Sequence, residues 1–255
     1  MMLRYLKCYY FVIIVLLLST KSMASINPEA ERYISSIIHK HVPYQVNVLN
    51  NNFIINNVNA YPPGRLTAMF AKFLIDNNLV KNKVVADIGS GCFALGIIAI
   101  KNGANTIIGS DVSQHAIQCA KDNLVLHGIA KNVYLFKGDG VLPLLPKFIG
   151  KIDIIVSGIP WDNLSTNEFD SLIPERQAIS RAFYDVDDAL IKDIMLQGFN
   201  LLSHQGRIFI TSSIRKIERI QQLCLEYQLN CKIVKEDDIH NDGNIHYILE
   251  ITRIR

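Results

Sequence analysis

No stretch of this chain is apolar for long enough to cross a bilayer comfortably. The longest such run, Cys8 to Leu18, falls well short of the roughly 20 residues a spanning helix needs. Acidic residues are missing from the first 24 positions, which hold Arg4, Lys7 and Lys21; setting those three aside leaves 23 of the 26 basic residues against 23 acidic ones. A neutral remainder lacks the basic footprint of a protein that grips many phosphates, so an extended nucleic-acid interface is disfavoured. Cysteine is scarce. Beyond Cys8 there are Cys92, Cys119, Cys224 and Cys231, whose spacing matches no zinc site, and no metal is expected. Their even number permits two bridges in an oxidising compartment. Buried free thiols are the expected state, because Cys92 and Cys119 fall on a loop and a helix that the site described below needs undistorted.

What is present begins with a signal-like segment. Residues 1–24 combine a basic start, the apolar run and the small-residue end Ser22-Met23-Ala24, the parts of a secretory signal or membrane anchor. Export or anchoring is the expectation; translation from Met23 would instead leave the protein in the cytoplasm. Membrane contact is expected only through residues 8–18. With 49% hydrophobic residues over 255 positions the chain can bury a full core without metal or bridges. The expected division is 1–24 signal or anchor, 25–60 a helix and hairpin lobe, and 61–255 the main domain.

Helical spacing over 28–41, stopped by Pro43, precedes two short strands, Tyr44–Leu49 and Phe53–Ile55, around an Asn50–Asn52 turn. Tyr61-Pro-Pro-Gly64 breaks the chain before a helix from Arg65 to Asn77. From there short runs, Val84–Ala86, Thr106–Ser110, Val133–Phe136, Ile152–Val156 and Arg207–Thr211, alternate with helices. They are apolar at consecutive positions, as parallel strands covered on both faces should be. Cys231–Val234 and Ile245–Ile251 are joined too closely for a crossover helix and should pair antiparallel. The fold class is therefore α/β, a Rossmann-like seven-stranded, mostly parallel sheet with antiparallel last strands.

The chemistry is concentrated at the ends of these strands. Asp87-Ile-Gly89-Ser-Gly91 runs from the first strand into a glycine bend that lets backbone approach a ligand. Alone, the glycine pattern is equally compatible with a dinucleotide. Asp87 discriminates: a carboxylate beside the bend opposes a diphosphate and suits a ligand carrying a sulfonium and an ammonium. Asp111, ending the second strand, is placed to accept hydrogen bonds from both hydroxyls of a ribose. Asp139, in Lys137-Gly-Asp-Gly140, is placed to face an adenine amine, although a glycine-flanked Asp also suits a plain turn. After the fourth strand, Ser157-Gly158-Ile159-Pro160-Trp161 offers a rigid turn, backbone carbonyls and an aromatic face.

Over residues 61–255 these motifs resemble the class I S-adenosylmethionine-dependent methyltransferases. Asp87-x-Gly89-x-Gly91, Lys101 to Asp111 and the helix ending His127-Gly128 resemble the bacterial enzymes that methylate a ribosomal protein, and Ser157 to Trp161 resembles the Asn-Pro-Pro-aromatic motif of glutamine and adenine N-methyltransferases, including those acting on release factors. The resemblance implies S-adenosylmethionine as cofactor, held by Asp87, Gly89, Gly91, Asp111 and Asp139. It implies methyl transfer to a protein or small-molecule nitrogen, with Ser157, Gly158, Pro160 and Trp161 on the acceptor side. Three departures stand out. Gly158 replaces the motif's Asn and Ile159 its first Pro, removing a side-chain acceptor, and Phe93 replaces a frequent third glycine, where its ring either crowds the ligand or turns into the core. Two rival readings follow: a nicotinamide-dependent oxidoreductase with the same fold, and a non-catalytic cofactor-binding module that has lost its acceptor site. Oligomeric state is left open by the sequence.

Overall fold

The computed structural model describes residues 27–254, apart from 173 and 242, so the signal-like residues 1–24 and the apolar run 8–18 lie outside the described residues. Asn27 caps the first helix, α1 (Pro28–Ile38), accepting from the Glu29 and Ala30 N–H groups. The helix stops before the expected residue 41. The hairpin is β1 (Tyr44–Val48) and β2 (Asn51–Ile55). Its turn consists of Leu49 and Asn50, both at positive φ, the two-residue geometry whose twist suits a hairpin. Asn51 and Asn52, expected in the turn, therefore belong to the ladder.

The main domain starts with α2 (Arg65–Asp76), then β3 (Val84–Ile88), α3 (Ala94–Lys101), β4 (Thr106–Asp111), α4 (Gln114–Leu126) and β5 (Val133–Lys137). Ser113 caps α4 by accepting the Ala116 N–H, as its sequence position suggested. A 3-10 turn (Leu142–Leu144) leads through α5 (Leu145–Phe148) to β6 (Ile152–Gly158). A small insertion follows: β7 (Asp162–Leu164), α6 (Thr166–Asp170), α7 (Pro174–Ser180) and β8 (Tyr184–Val186), with β7 and β8 paired in parallel. Elements this short complete too few turns or alternations to show a period in the sequence. The chain ends with α8 (Ala189–Leu201), β9 (Leu202–Ser213), α9 (Ile217–Glu226), β10 (Leu229–Asp237) and β11 (His246–Arg253).

Seven strands form one sheet in the order β10-β11-β9-β6-β3-β4-β5, parallel except that β11 runs against both neighbours. This is the expected α/β architecture. The chain moves outward from β3 to β5 and returns to β6 on the other side of β3, which puts the switch point, where a crevice opens beyond the strand ends, between β3 and β6. Two apolar clusters fill the core around the sheet. The residues of α3 from Ala94 to Ala99 are all buried, which is why that segment reads as apolar without a polar face.

The two elements before residue 60 dock in different places. Helix α1 inserts Ala30, Ile34 and Ile37 among Leu164, Phe169 and Phe183 of the insertion. The hairpin is bound to α4 through fully buried Asn123, whose Oδ1 accepts the Ile54 N–H at 2.7 Å and whose Nδ2 donates to the Ile54 carbonyl at 3.0 Å. Behind the insertion, Lys216 and Asp185 form an ion pair at 3.3 Å with both side chains 2% exposed. Asp185 also accepts the Leu190 and Ile191 N–H groups, so the buried carboxylate has several partners and holds the start of α8 against β8.

Phe93 turns into the core and is fully buried, with its backbone at φ 65°. Its ring occupies space left by Gly109 on β4: a Cβ there would lie 2.7 Å from Phe93 Cε2 and 2.8 Å from Leu135 Cδ2. Gly109→Ala should therefore overpack this layer and cost about 1–3 kcal/mol. A denaturant midpoint shift checks it, with Phe93→Leu in the same chain restoring part of the loss; an unshifted midpoint would show that the ring yields freely.

Candidate active site

A cavity of about 250 Å³ lies over the C-terminal ends of the central strands. Asp87, Gly89, Gly91, Asp111 and Asp139 line it together, as do Gly158, Pro160 and Trp161. Gly89 and Gly91 have φ values of 70° and 52°, conformations that side chains resist. The bend is fastened to β4. The Gly89 and Ser90 N–H groups donate to the Ser110 carbonyl at 2.9 and 3.0 Å, and the Gly91 N–H donates to Asp111 Oδ2 at 2.8 Å.

Asp111 also accepts the Ser113 N–H through Oδ1. Both oxygens are thus fixed in place while each keeps a second lone pair. Burial pushes the Asp111 pKa up, and the two backbone hydrogen bonds oppose that shift. Asp87 is more extreme. It is 3% exposed, and its Oδ2 has no hydrogen-bond partner among the described residues. Burial first, with the Asp111 charge adding to it, raises its pKa to about 8 against a counteracting hydrogen bond from the Gly96 backbone. Below about pH 8 a carboxyl so placed favours its protonated form in the ligand-free site, and an incoming cation favours the anion. Asp139 is exposed at the rim.

On the acceptor side the expectations divide. Ser157 is not brought to the cavity: it is fully buried, and its hydroxyl donates to the Ile88 carbonyl at 2.7 Å, tying β6 to β3. Side chains alternate across a strand, so the residue preceding an exposed Gly158 points into the sheet's packing. Trp161 is half-buried, with its ring 5.6 Å from Tyr33 and 5.4 Å from Phe183, and its carbonyl accepts from Ser213 Oγ.

Other wall residues are brought in from distant elements. Tyr33 comes from α1, Arg181 from the insertion, Thr211 from β9 and His240 from the β10–β11 loop, none of them marked in the sequence. Tyr61 also lines the cavity and lies in the Tyr61-Pro-Pro-Gly64 stretch that the sequence does single out. Thr211 pairs in register with Gly158, is 1% exposed, and its hydroxyl has no partner among the described residues. Beside it, Gly158 leaves open the space a longer side chain would fill.

Residues 65–166 match the ribosomal protein L11 methyltransferase family. A provisionally named protein N5-glutamine methyltransferase of Methanocaldococcus jannaschii is 30% identical over 146 residues, covering 54% of this chain and 70% of that protein. A ribosomal protein L11 methyltransferase of Caldanaerobacter subterraneus subsp. tengcongensis is 40% identical over 97 residues, covering 38% of this chain and 29% of the relative, so the chain matches under a third of that enzyme's length. Among solved structures, the ribosomal protein L11 methylase of Lactobacillus delbrueckii subsp. bulgaricus superposes with a TM-score of 0.52 at 23% identity, over 76% of this chain and 81% of that one. That likeness bears on the fold.

The Asp87 environment makes ligand-free stability depend on pH. Its folded pKa of about 8 lies above the ordinary carboxylate value, so the folded state retains a proton that the unfolded chain releases. This contribution is fully present below about pH 4 and is lost as pH rises through about 8. Between about pH 5 and about pH 8.5 the unfolding midpoint of the wild type should fall relative to that of Asp87→Asn. Parallel midpoint curves for the two proteins would show that Asp87 titrates normally.

Proposed function

This chain belongs to the S-adenosylmethionine-dependent methyltransferases, and we propose that it methylates a nitrogen on a protein side chain or on a small planar amine or amide. Asp87 carries the reading: a buried carboxyl group with one oxygen unpaired among the described residues, set in the cavity wall beside a glycine bend. When bound, S-adenosylmethionine supplies a methyl group activated by a cationic sulfur. The residues present fit such a ligand, because its positive charge compensates the Asp87 anion and no phosphate needs accommodating.

In this reading Gly89 and Gly91 let the main chain approach the amino-acid end of the cofactor. Asp111, already oriented by the Gly91 and Ser113 N–H groups, accepts the ribose hydroxyls. Asp139 at the rim receives the adenine amine. The chain's contribution to the reaction is alignment and exclusion of water, with no covalent enzyme intermediate. The turn from Gly158 through Pro160 orients the acceptor nitrogen, while Trp161 and Tyr33 supply flat apolar walls for a planar group. Support for a protein acceptor comes from the relatives, which are named for ribosomal protein L11 and for glutamine in protein. They leave the nicotinamide oxidoreductase and the non-catalytic module without support.

Two measurements test this. Incubating the protein with methyl-labelled S-adenosylmethionine and fractionated protein, nucleic acid and small-molecule extracts should put label on nitrogen in a protein or small-molecule fraction; label confined to nucleic acid would sink the acceptor assignment. In calorimetry, Asp111→Ala should bind cofactor more weakly by about 1.5–3 kcal/mol, the range for a hydrogen bond to a charged group. Near pH 7, wild-type binding should release protons, seen as an enthalpy that varies with buffer, and Asp87→Asn should lose that release.

A further inference from the structure

Two sulfur atoms meet at the edge of the cavity. Cys119 Sγ lies 3.1 Å from Cys92 Sγ. Cys92 follows the glycine bend directly and lines the cavity, while Cys119 is fully buried on the inner face of α4. Neither has a part in the reaction described above. We propose that Cys92 and Cys119 form a modification site, a thiol pair that closes to an intramolecular disulfide and thereby weakens cofactor binding. The effect on binding rests on the methyltransferase reading; formation of the bond does not.

Geometry favours closure. A disulfide needs its sulfurs about 2.05 Å apart, so these two need approach by only about 1 Å. The pair joins the cofactor bend to α4, and both partners are held by the surrounding chain: the Cys92 thiol donates to the Tyr61 carbonyl at 3.2 Å and the Cys119 thiol to the Ile54 carbonyl at 3.1 Å. The oxidant is a low-molecular-weight disulfide entering by the cavity. Cys92 sulfur bonds to one reagent sulfur and expels the other as a thiol. The Cys119 thiolate then attacks Cys92 sulfur and expels the second thiol. One reagent disulfide is thus reduced to two thiols, which take up both protein protons.

Closure consumes the S–H group that Cys92 offers to the Tyr61 carbonyl. Tyr61 and Cys92 both belong to the cavity wall, and the Gly91 N–H next to Cys92 orients Asp111. Losing one hydrogen bond there should weaken cofactor binding by about fivefold.

The experiment equilibrates the full protein with oxidised glutathione or with dithiothreitol, alkylates remaining thiols, maps the cysteines by mass spectrometry and titrates S-adenosylhomocysteine calorimetrically. The expected result is a Cys92–Cys119 cross-linked peptide after glutathione disulfide, reversed by dithiothreitol, together with the fivefold weaker binding. Cys119→Ala should bind alike in both treatments. Recovery of Cys92 and Cys119 both alkylated, or of a bond only between Cys224 and Cys231, overturns the site. A mapped Cys92–Cys119 bond with unchanged affinity overturns its effect on binding. Absence of binding under reducing conditions would count against the cofactor reading and so against that effect, while the peptide map still decides the bond. Should Cys119→Ala not fold, the wild-type map and titration suffice.

Discussion

The arrangement of the site depends on keeping a carboxyl group dry at the end of the central strand. Asp87 is buried behind a bend whose glycines adopt left-handed backbone angles, and the bend is fastened to β4 by the Ser110 carbonyl and the Asp111 carboxylate. Burial disfavours the ionised form of Asp87 in that setting, and a positive charge close by offsets this. This preference separates a cationic sulfur nucleoside from a diphosphate more sharply than the glycine spacing does, since either ligand tolerates a glycine bend.

The bend and the acid beside it hold each other in place. Asp111 is both a wall residue and the acceptor that positions Gly91, so the side chain assigned to the ribose also sets the bend beside it. Parallel strands buried on both faces supply the frame, and Phe93, turned into the core beneath Gly109, removes bulk from the ligand side. The departure from a third glycine is thereby absorbed by packing.

The other half of the cavity is assembled differently. Its walls come from α1, the proline segment, the insertion and β9, held together by the aromatic contacts of Tyr33, Tyr61, Trp161 and Phe183. The buried Lys216–Asp185 pair anchors this region to the sheet domain. Gly158 leaves space next to the Thr211 hydroxyl, which has no partner among the described residues, so any polar hold on an acceptor there comes from main chain and neighbouring strands and not from a side chain at position 158.

The strands, the glycine bend and the Ser113 cap were legible in the sequence because each depends on residues within a few positions: consecutive apolar side chains, a positive-φ turn, a hydroxyl before a helix. Asp87, Asp111 and Asp139 were legible because strand ends of a parallel sheet converge on one edge. Ser157 was misjudged because its direction depends on the pleat of β6 beside β3, a property of pairing. The insertion escaped notice because its strands and helices are too short to carry a period, and Tyr33, Arg181 and Thr211 because residues far apart in the chain carry no mark of adjacency. The sequence by itself determined the sheet, the bend and the acids around it. Only the tertiary structure decided which distant side chains complete the cavity wall and that two cysteines touch, since both follow from packing between distant segments.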